Sequence, residues 1–287
     1  MENRPVPYNT SMIAVFGAGT IGSAIAQRLA ERGRVREVRF IDDNPRVAEG
    51  KALDIRQSGP IDGVDTRLSA TGDPLTAASA DVIVLADDTV NGAWQGERGL
   101  ALIARLLRAG ITAPLVFADP AQLALLETAA RELHAPADRL IGTAAAAIEP
   151  IVASLVNIEL GQTGTRVSVG GRPPSFVIGW NAATIDGALV ADRVPPHRLQ
   201  AISQSLSRLW PPGPQAIAAP TVLAIEALVF GSRHVLPALT ILDGELGVRG
   251  RAGLCGVELG RGRVLRRLVP SLSPQERTET ITALMRG

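Results

Sequence analysis

The segment Met12-Ile13-Ala14-Val15-Phe16-Gly17-Ala18-Gly19-Thr20-Ile21-Gly22 decides how the chain is read. Five apolar residues run straight into a glycine turn, and Ile21 to Arg32 then carries apolar residues at helical spacing before stopping at Gly33. The order is strand, turn, helix. In such a turn Gly17 permits the tight bend, Gly19 lets backbone approach a ligand, and Gly22 lets helix and strand pack closely, while the helix N-terminus offers its N–H groups to an anion. Three glycines at this spacing arise by chance in a chain with 29 of them, so the setting has to carry the reading. It does: a second apolar run, Val38 to Ile41, ends in Asp42-Asp43, with Asp42 twenty residues beyond Gly22. There a carboxylate accepts hydrogen bonds from an adenosine ribose. The pattern predicts a dinucleotide-binding unit with Gly17, Gly19, Thr20, Ile21 and Gly22 at the pyrophosphate and Asp42 at the ribose. A carboxylate repels a 2′-phosphate, so NAD is expected in preference to NADP, a preference that Arg46 nearby weakens.

Outward from this core, strands are predicted near Thr66 to Ala70, over Asp81 to Ala86 (a continuous apolar run of the kind buried in a parallel sheet), over Leu115 to Ala118 and from Leu140. Helices are predicted over Leu100 to Ala109 and Ala121 to Leu133. Alternating strands and helices imply an α/β fold, a right-handed doubly wound parallel sheet over residues 1–145. Residues 146–287 read as a mixed α+β unit. Short β runs lie at Arg166 to Val169 and Phe176 to Trp180, a Pro-rich stretch at Trp210 to Pro214, and a helix at about Thr221 to Val229. Val235 to Leu242 and Gly256 to Leu259 read as a hairpin around the Gly-rich segment Gly244 to Gly256. Ser273 to Met285 reads as a terminal helix whose Ser-Pro-Gln-Glu opening suits a capped start.

Composition excludes several classes. The formal net charge is +1, from 29 Lys+Arg against 28 Asp+Glu, with no run of four basic residues, so no nucleic-acid partner is expected. A 46% apolar and 20% charged chain is an ordinary globular one rather than a disordered one. Aromatics make up only 3%, so aliphatic side chains must fill the core. The single cysteine, Cys255, reads as a small buried hydrophobe in a reducing compartment and rules out an internal disulfide. No apolar stretch spans a membrane, Thr143 to Val156 being broken at Glu149-Pro150, and a cytoplasmic protein is expected. His134, His197 and His234 read as surface or capping residues, and no His or Cys spacing suggests a metal site.

These motifs resemble the lactate/malate dehydrogenase family. The likeness is carried by Gly17 to Gly22, Gly50-Lys51-Ala52-Leu53-Asp54, Asp81 to Leu85, Ala219-Pro220, Val235-Leu236-Pro237, Leu242-Asp243-Gly244-Glu245 with Gly247, and Gly256-Val257. The resemblance implies a Rossmann domain followed by an α+β substrate domain, NAD as cofactor, a small-molecule ligand, and assembly as a homo-oligomer, a dimer or tetramer. It also implies a histidine base held by an aspartate, an arginine clamping the substrate carboxylate, and a mobile arginine polarising the carbonyl.

The sequence departs from that set. Gly170-Gly171 is followed by Arg172 where the histidine belongs, and a guanidinium, with a pKa above about 12, accepts no proton. Ala144 to Ile151, where the aspartate and clamping arginine belong, holds one charged residue, Glu149. Asp119-Pro120 replaces an asparagine-proline pair, and Asp87-Asp88 replaces a small residue and glycine beside the dinucleotide. Arg98 falls at the mobile arginine's place, Gly92 where malate-specific enzymes carry a second arginine, and Trp94 where it could cap the site. Arg98 and Arg172 are the candidate catalytic or anion-recognising residues. The expectation is a divergent, NAD-binding relative with altered or greatly reduced oxidoreductase activity on 2-hydroxy acids. The other reading is a catalytically inactive member, a pseudoenzyme used as partner subunit, scaffold or ligand sensor.

Overall fold

A computed structural model describes residues 11–63 and 65–286. The first half alternates as predicted. Strands β1 (Met12–Phe16), β2 (Glu37–Ile41), β3 (Arg67–Thr71) and β4 (Val82–Leu85) are interleaved with helices α1 (Thr20–Arg32) and α2 (Pro45–Asp62). A two-strand hairpin, β5 (Asp87–Asp88) with β6 (Gly92–Ala93), precedes α3 (Gly96–Arg108), β7 (Leu115–Phe117), α4 (Leu123–Glu132) and β8 (Leu140–Gly142). The second half holds α5 (Ile148–Leu160), β9 (Val169–Arg172), β10 (Ser175–Ile178), the small pair β11 (Thr184–Ile185) and β12 (Ala188–Leu189), α6 (Pro196–Ser205) and α7 (Pro214–Phe230). It ends with β13 (Val235–Asp243), β14 (Arg249–Gly260), β15 (Arg263–Leu268) and α8 (Pro274–Met285).

One large sheet runs through both halves in the order β10-β9-β14-β13-β8-β7-β4-β1-β2-β3, with β15 beside β14. From β3 to β8 all neighbours are parallel, and from β8 to β10 all are antiparallel. The parallel part has the doubly wound order in which the chain reverses direction across the sheet between β1 and β4. Ligands bind such sheets in the crevice at that reversal, beyond the strands' carboxyl ends. Here those ends are Gly17 and Ala86-Asp87. β1 and β4 are buried along their whole lengths, as strands covered by helices on both faces must be. The halves join where Leu239 of β13 pairs with Gly142 of β8, close enough that a Cβ on Gly142 would strike Leu239.

Several boundaries differ from the sequence reading for identifiable reasons. α3 starts at Gly96, four residues early, which puts Arg98 on a helix and not on a free loop. α7 starts at Pro214 and runs through Pro220 rather than starting after it. The Gly-rich segment is not a loop beyond Val248: β14 begins at Arg249, and Gly253 and Gly256 lie in the strand because a Cβ there would meet Leu242, Leu284 or Val235. β9 ends at Arg172, three residues beyond the predicted run. The predicted cap of α8 forms, with Ser273 Oγ accepting from Glu276 N and the Glu276 carboxylate accepting from Ser273 N.

Candidate functional site

The glycine turn sits at the reversal point, but its donors are already engaged. Gly17 adopts φ +109°, a conformation only glycine takes without strain. Gly19, the N-cap of α1, has no side chain to satisfy the helix's first N–H groups, and α1 has no acidic residue in its first turn. The carboxylate that satisfies them comes from Asp87, across the crevice at the end of β4. Its Oδ2 accepts from Thr20 N at 2.7 Å and Thr20 Oγ1 at 3.0 Å, and its Oδ1 from Ile21 N at 2.9 Å and Gly22 N at 3.0 Å. Gly19 N donates to the Asp87 carbonyl at 2.8 Å. A Cβ built on Gly19 would overlap the Asp87 carboxylate, and one on Gly17 would overlap the Asp87 backbone. The glycines therefore allow the close approach the sequence predicts, and what approaches is the chain itself. The Asp87 carboxylate takes the N–H groups at which the sequence pattern predicts a pyrophosphate.

Asp42 is buried and equally committed. Its Oδ2 accepts from Ala18 N at 2.8 Å and Thr89 N at 3.0 Å; its Oδ1 accepts from Thr89 Oγ1 at 2.6 Å and Asn44 N at 2.8 Å. A carboxylate offers about four acceptor positions, so all are filled. The hairpin that supplies Asp87 and Thr89 is tied down at its far end too. Asn91 Nδ2 and Arg98 Nη2 donate to Asp43 Oδ2 at 3.0 and 2.9 Å. Arg98 also pairs with Asp88, whose fully buried carboxylate accepts from Val90 N and Asn91 N. The Arg98 guanidinium lies 3.6 Å from the centre of the Trp94 ring, and Trp94 is turned inward, edge-on to Phe16 at 6.2 Å. Arg98 is thus a half-buried tie on a helix and Trp94 a core residue, in place of a mobile arginine and a cap over the site. Asp119 lies on the same crevice. Burial pushes its carboxyl above the usual range, the Ala121 N–H opposes that shift, and the negative charge of Asp87 adds to it.

The region expected to hold the aspartate and the clamping arginine is apolar. Ala144 to Ile148 are buried, and Ile148 and Val152 pack with Val169, Leu239 and Leu254. Arg172 is buried at the end of β9 and faces Glu127 of α4, with Nη1 and Nη2 at 3.2 and 3.4 Å from its two oxygens. Glu127 Oε1 also accepts from Ala252 N. The guanidinium expected to recognise a ligand anion is therefore neutralised by a protein carboxylate. Glu149 points into a cavity of about 480 Å³ between α5, α7 and the start of β13, which Arg166, Leu223 and Pro237 also line. It accepts one hydrogen bond, from Val169 N, and burial pushes its carboxyl up to about 7. All three histidines are exposed. Cys255 is buried against Thr240 and its thiol is pushed up to about 11 by burial. Among the described residues no cluster of His, Cys, Asp and Glu could hold a metal ion, and no helix is long and apolar enough to cross a membrane.

Sequence reasoning did not find Thr89, Asp43, Asn91 or Glu127, since each matters through a partner more than 40 residues away. The Asp87-Asp88 pair was the one local signal for this arrangement.

Residues 11–98 match the family model described as lactate/malate dehydrogenase, NAD binding domain. The malate dehydrogenase of Thioalkalivibrio sulfidiphilus is 28% identical over 93% of this chain and 94% of its own length. That of Thermomicrobium roseum is 26% identical over 92% of each. The fold is that of the minor L-lactate dehydrogenase of Enterococcus mundtii, with TM-score 0.86 at 18% identity over 96% and 95% of the two chains. It is also that of the malate dehydrogenase of Aeropyrum pernix, with TM-score 0.84 at 20% identity over 95% of each. NAD is the cofactor for which the matched domain is built, although the arrangement of Asp87, Thr89 and Asp42 leaves no free donors or acceptors for its pyrophosphate and ribose. Residues 11–98 thus match the NAD-binding domain of lactate/malate dehydrogenases, and over nearly its whole length the chain is similar in sequence to malate dehydrogenases and in fold to lactate and malate dehydrogenases.

Proposed function

We propose that this protein is a divergent lactate/malate dehydrogenase-like protein in which oxidation of 2-hydroxy acids is lost or greatly reduced. The observation that carries the reading is Arg172. At the place where a proton acceptor is needed stands a permanently protonated side chain, buried and paired with Glu127. The surroundings support it. The buried wall from Ala144 to Ile148 offers no carboxylate to orient a base and no cation to make a bidentate bond to a substrate carboxylate. Arg98, the remaining candidate for carbonyl polarisation, is held by Asp88 and Asp43.

The test is steady-state turnover of malate and of lactate followed by NADH absorbance. Loss of the base alone predicts rates lower by about 10² to 10⁴ than those of an ordinary dehydrogenase. Rates within about tenfold of an ordinary enzyme would overturn the reading.

A role as partner subunit, scaffold or ligand sensor is the second reading, favoured by a crevice latched by the protein's own hydrogen bonds. The division into a nucleotide-type half, residues 1–145, and a substrate-type half, 146–287, belongs to the same proposal, as does homo-oligomeric assembly in the cytoplasm. Exposed apolar side chains on α2 and α7, Val47, Leu53 and Leu223, support the assembly, and the unpaired thiol of Cys255 fits the compartment.

A further inference from the structure

The backbone N–H groups from Ala18 to Ser23 can be accounted for one by one. Ala18 N donates to Asp42, Gly19 N to the Asp87 carbonyl, Thr20, Ile21 and Gly22 N to the Asp87 carboxylate, and Ser23 N to Gly19. An anion entering at this helix N-terminus finds no unsatisfied donor, and it meets a carboxylate at contact distance, with Asp119 beside it. The ribose acceptor, Asp42, is taken by Thr89 in the same way. Asp87 and Thr89 stand two residues apart at the start of one hairpin, which is also tied by Asp88 to Arg98 and by Asn91 to Asp43. These attachments all act on a single element.

We propose that the Asp87–Ala93 hairpin is a built-in occupant of the NAD crevice: Asp87 takes the pyrophosphate's donors, Thr89 takes the ribose's acceptor, and NAD binds only to the form in which the hairpin has swung out. Asp87 is then the residue that sets which ligands the crevice accepts. It excludes dinucleotides by charge and by occupancy, and the energy of its helix-cap bonds sets how rarely the open form is present. Apparent affinity falls in proportion to the fraction of molecules that are open. The inference rests on the reading of this domain as NAD-binding.

The experiment is a titration of NADH, by fluorescence or calorimetry, into the full-length wild-type protein and into Asp87→Ala. The proposal predicts weak binding to the wild type and an affinity higher by about tenfold or more in Asp87→Ala, because the substitution removes the competing charge and frees the Thr20, Ile21 and Gly22 donors. A thermal melt checks that the variant is folded. If it is not, Arg98→Ala, which removes the tie on Asp88 beside Asp87, is predicted to shift affinity in the same direction. An NADH affinity unchanged within about twofold overturns the proposal, and so does the absence of binding to both proteins at millimolar NADH. Turnover is a separate reading: ordinary malate oxidation by the wild type would overturn the proposed function without depending on the Asp87 comparison.

Discussion

The two ends of the cleft differ in how they treat carboxylates. At the glycine turn, Asp42 and Asp87 each accept four hydrogen bonds from backbone and hydroxyl donors, so a crevice suited to a ligand's polar groups is saturated by the protein's own. Around Ala144 to Ala153 the polar groups have been removed. Glu149 remains with a single N–H partner in an apolar cavity, and Arg172 remains with Glu127. The first region satisfies its polar groups within the protein; the second presents a mostly apolar wall. The contrast teaches that polar groups of one cleft can be withheld from a ligand in two physically distinct ways, by pairing with the protein's own donors or by replacement with apolar side chains.

This contrast can be broken at either end. The largest expected effect is at Arg172: replacing it with Met leaves the partly buried Glu127 without its cation and should lower stability by about 3 kcal/mol in urea denaturation. Arg172→His should produce no malate oxidation, because Ala144 to Ile151 supplies neither the partner aspartate nor the clamping arginine; turnover in that variant would overturn this reading of the second region.

Glu149 gives the next effect, and its sign is fixed. Its carboxyl lies near 7 in the folded protein against an ordinary 4.5, so its contribution is fully present below pH 4.5 and is lost as pH rises through 7. The loss should reach up to about 3 kcal/mol, and Glu149→Gln should flatten that part of a stability profile. Thr89→Val should cost about 1 to 2 kcal/mol, since buried Asp42 loses a hydroxyl donor while keeping the Thr89 N–H, and it should sharpen the account by raising NADH affinity less than Asp87→Ala does. The smallest effect is chemical: Cys255, buried with its thiol pushed up to about 11, should stay unlabelled by a thiol reagent until the protein unfolds.

What the sequence made legible is what local physics determines. A short apolar run, glycines at a fixed spacing and a carboxylate at the next strand end suffice for β1, α1 and β2, and alternation suffices for the sheet. α5 was not legible because Ile148–Leu160 is apolar on nearly every side and carries Pro150 in its first turn, where a helix tolerates proline but a reader sees a break. α7 was cut short at Pro220 for the same reason. Arg172 in the place where the resemblance implies a histidine is legible from one position, whereas its pairing with Glu127 depends on how α4 packs on β14. Asp87-Asp88 was visible as an anomaly. That it turns inward to cap α1 follows only from the parallel pairing of β1 with β4, which sets the two turns side by side.

In an uncapped helix the N–H groups of the first turn exchange freely with solvent, whereas those of α1 donate to Asp87. Amide hydrogen exchange of Thr20, Ile21 and Gly22 in the ligand-free protein should be slow in the wild type and markedly faster in Asp87→Ala. Fast exchange at these three amides in the wild type, unchanged by the substitution, would contradict the claim that the crevice is filled by the protein's own carboxylate.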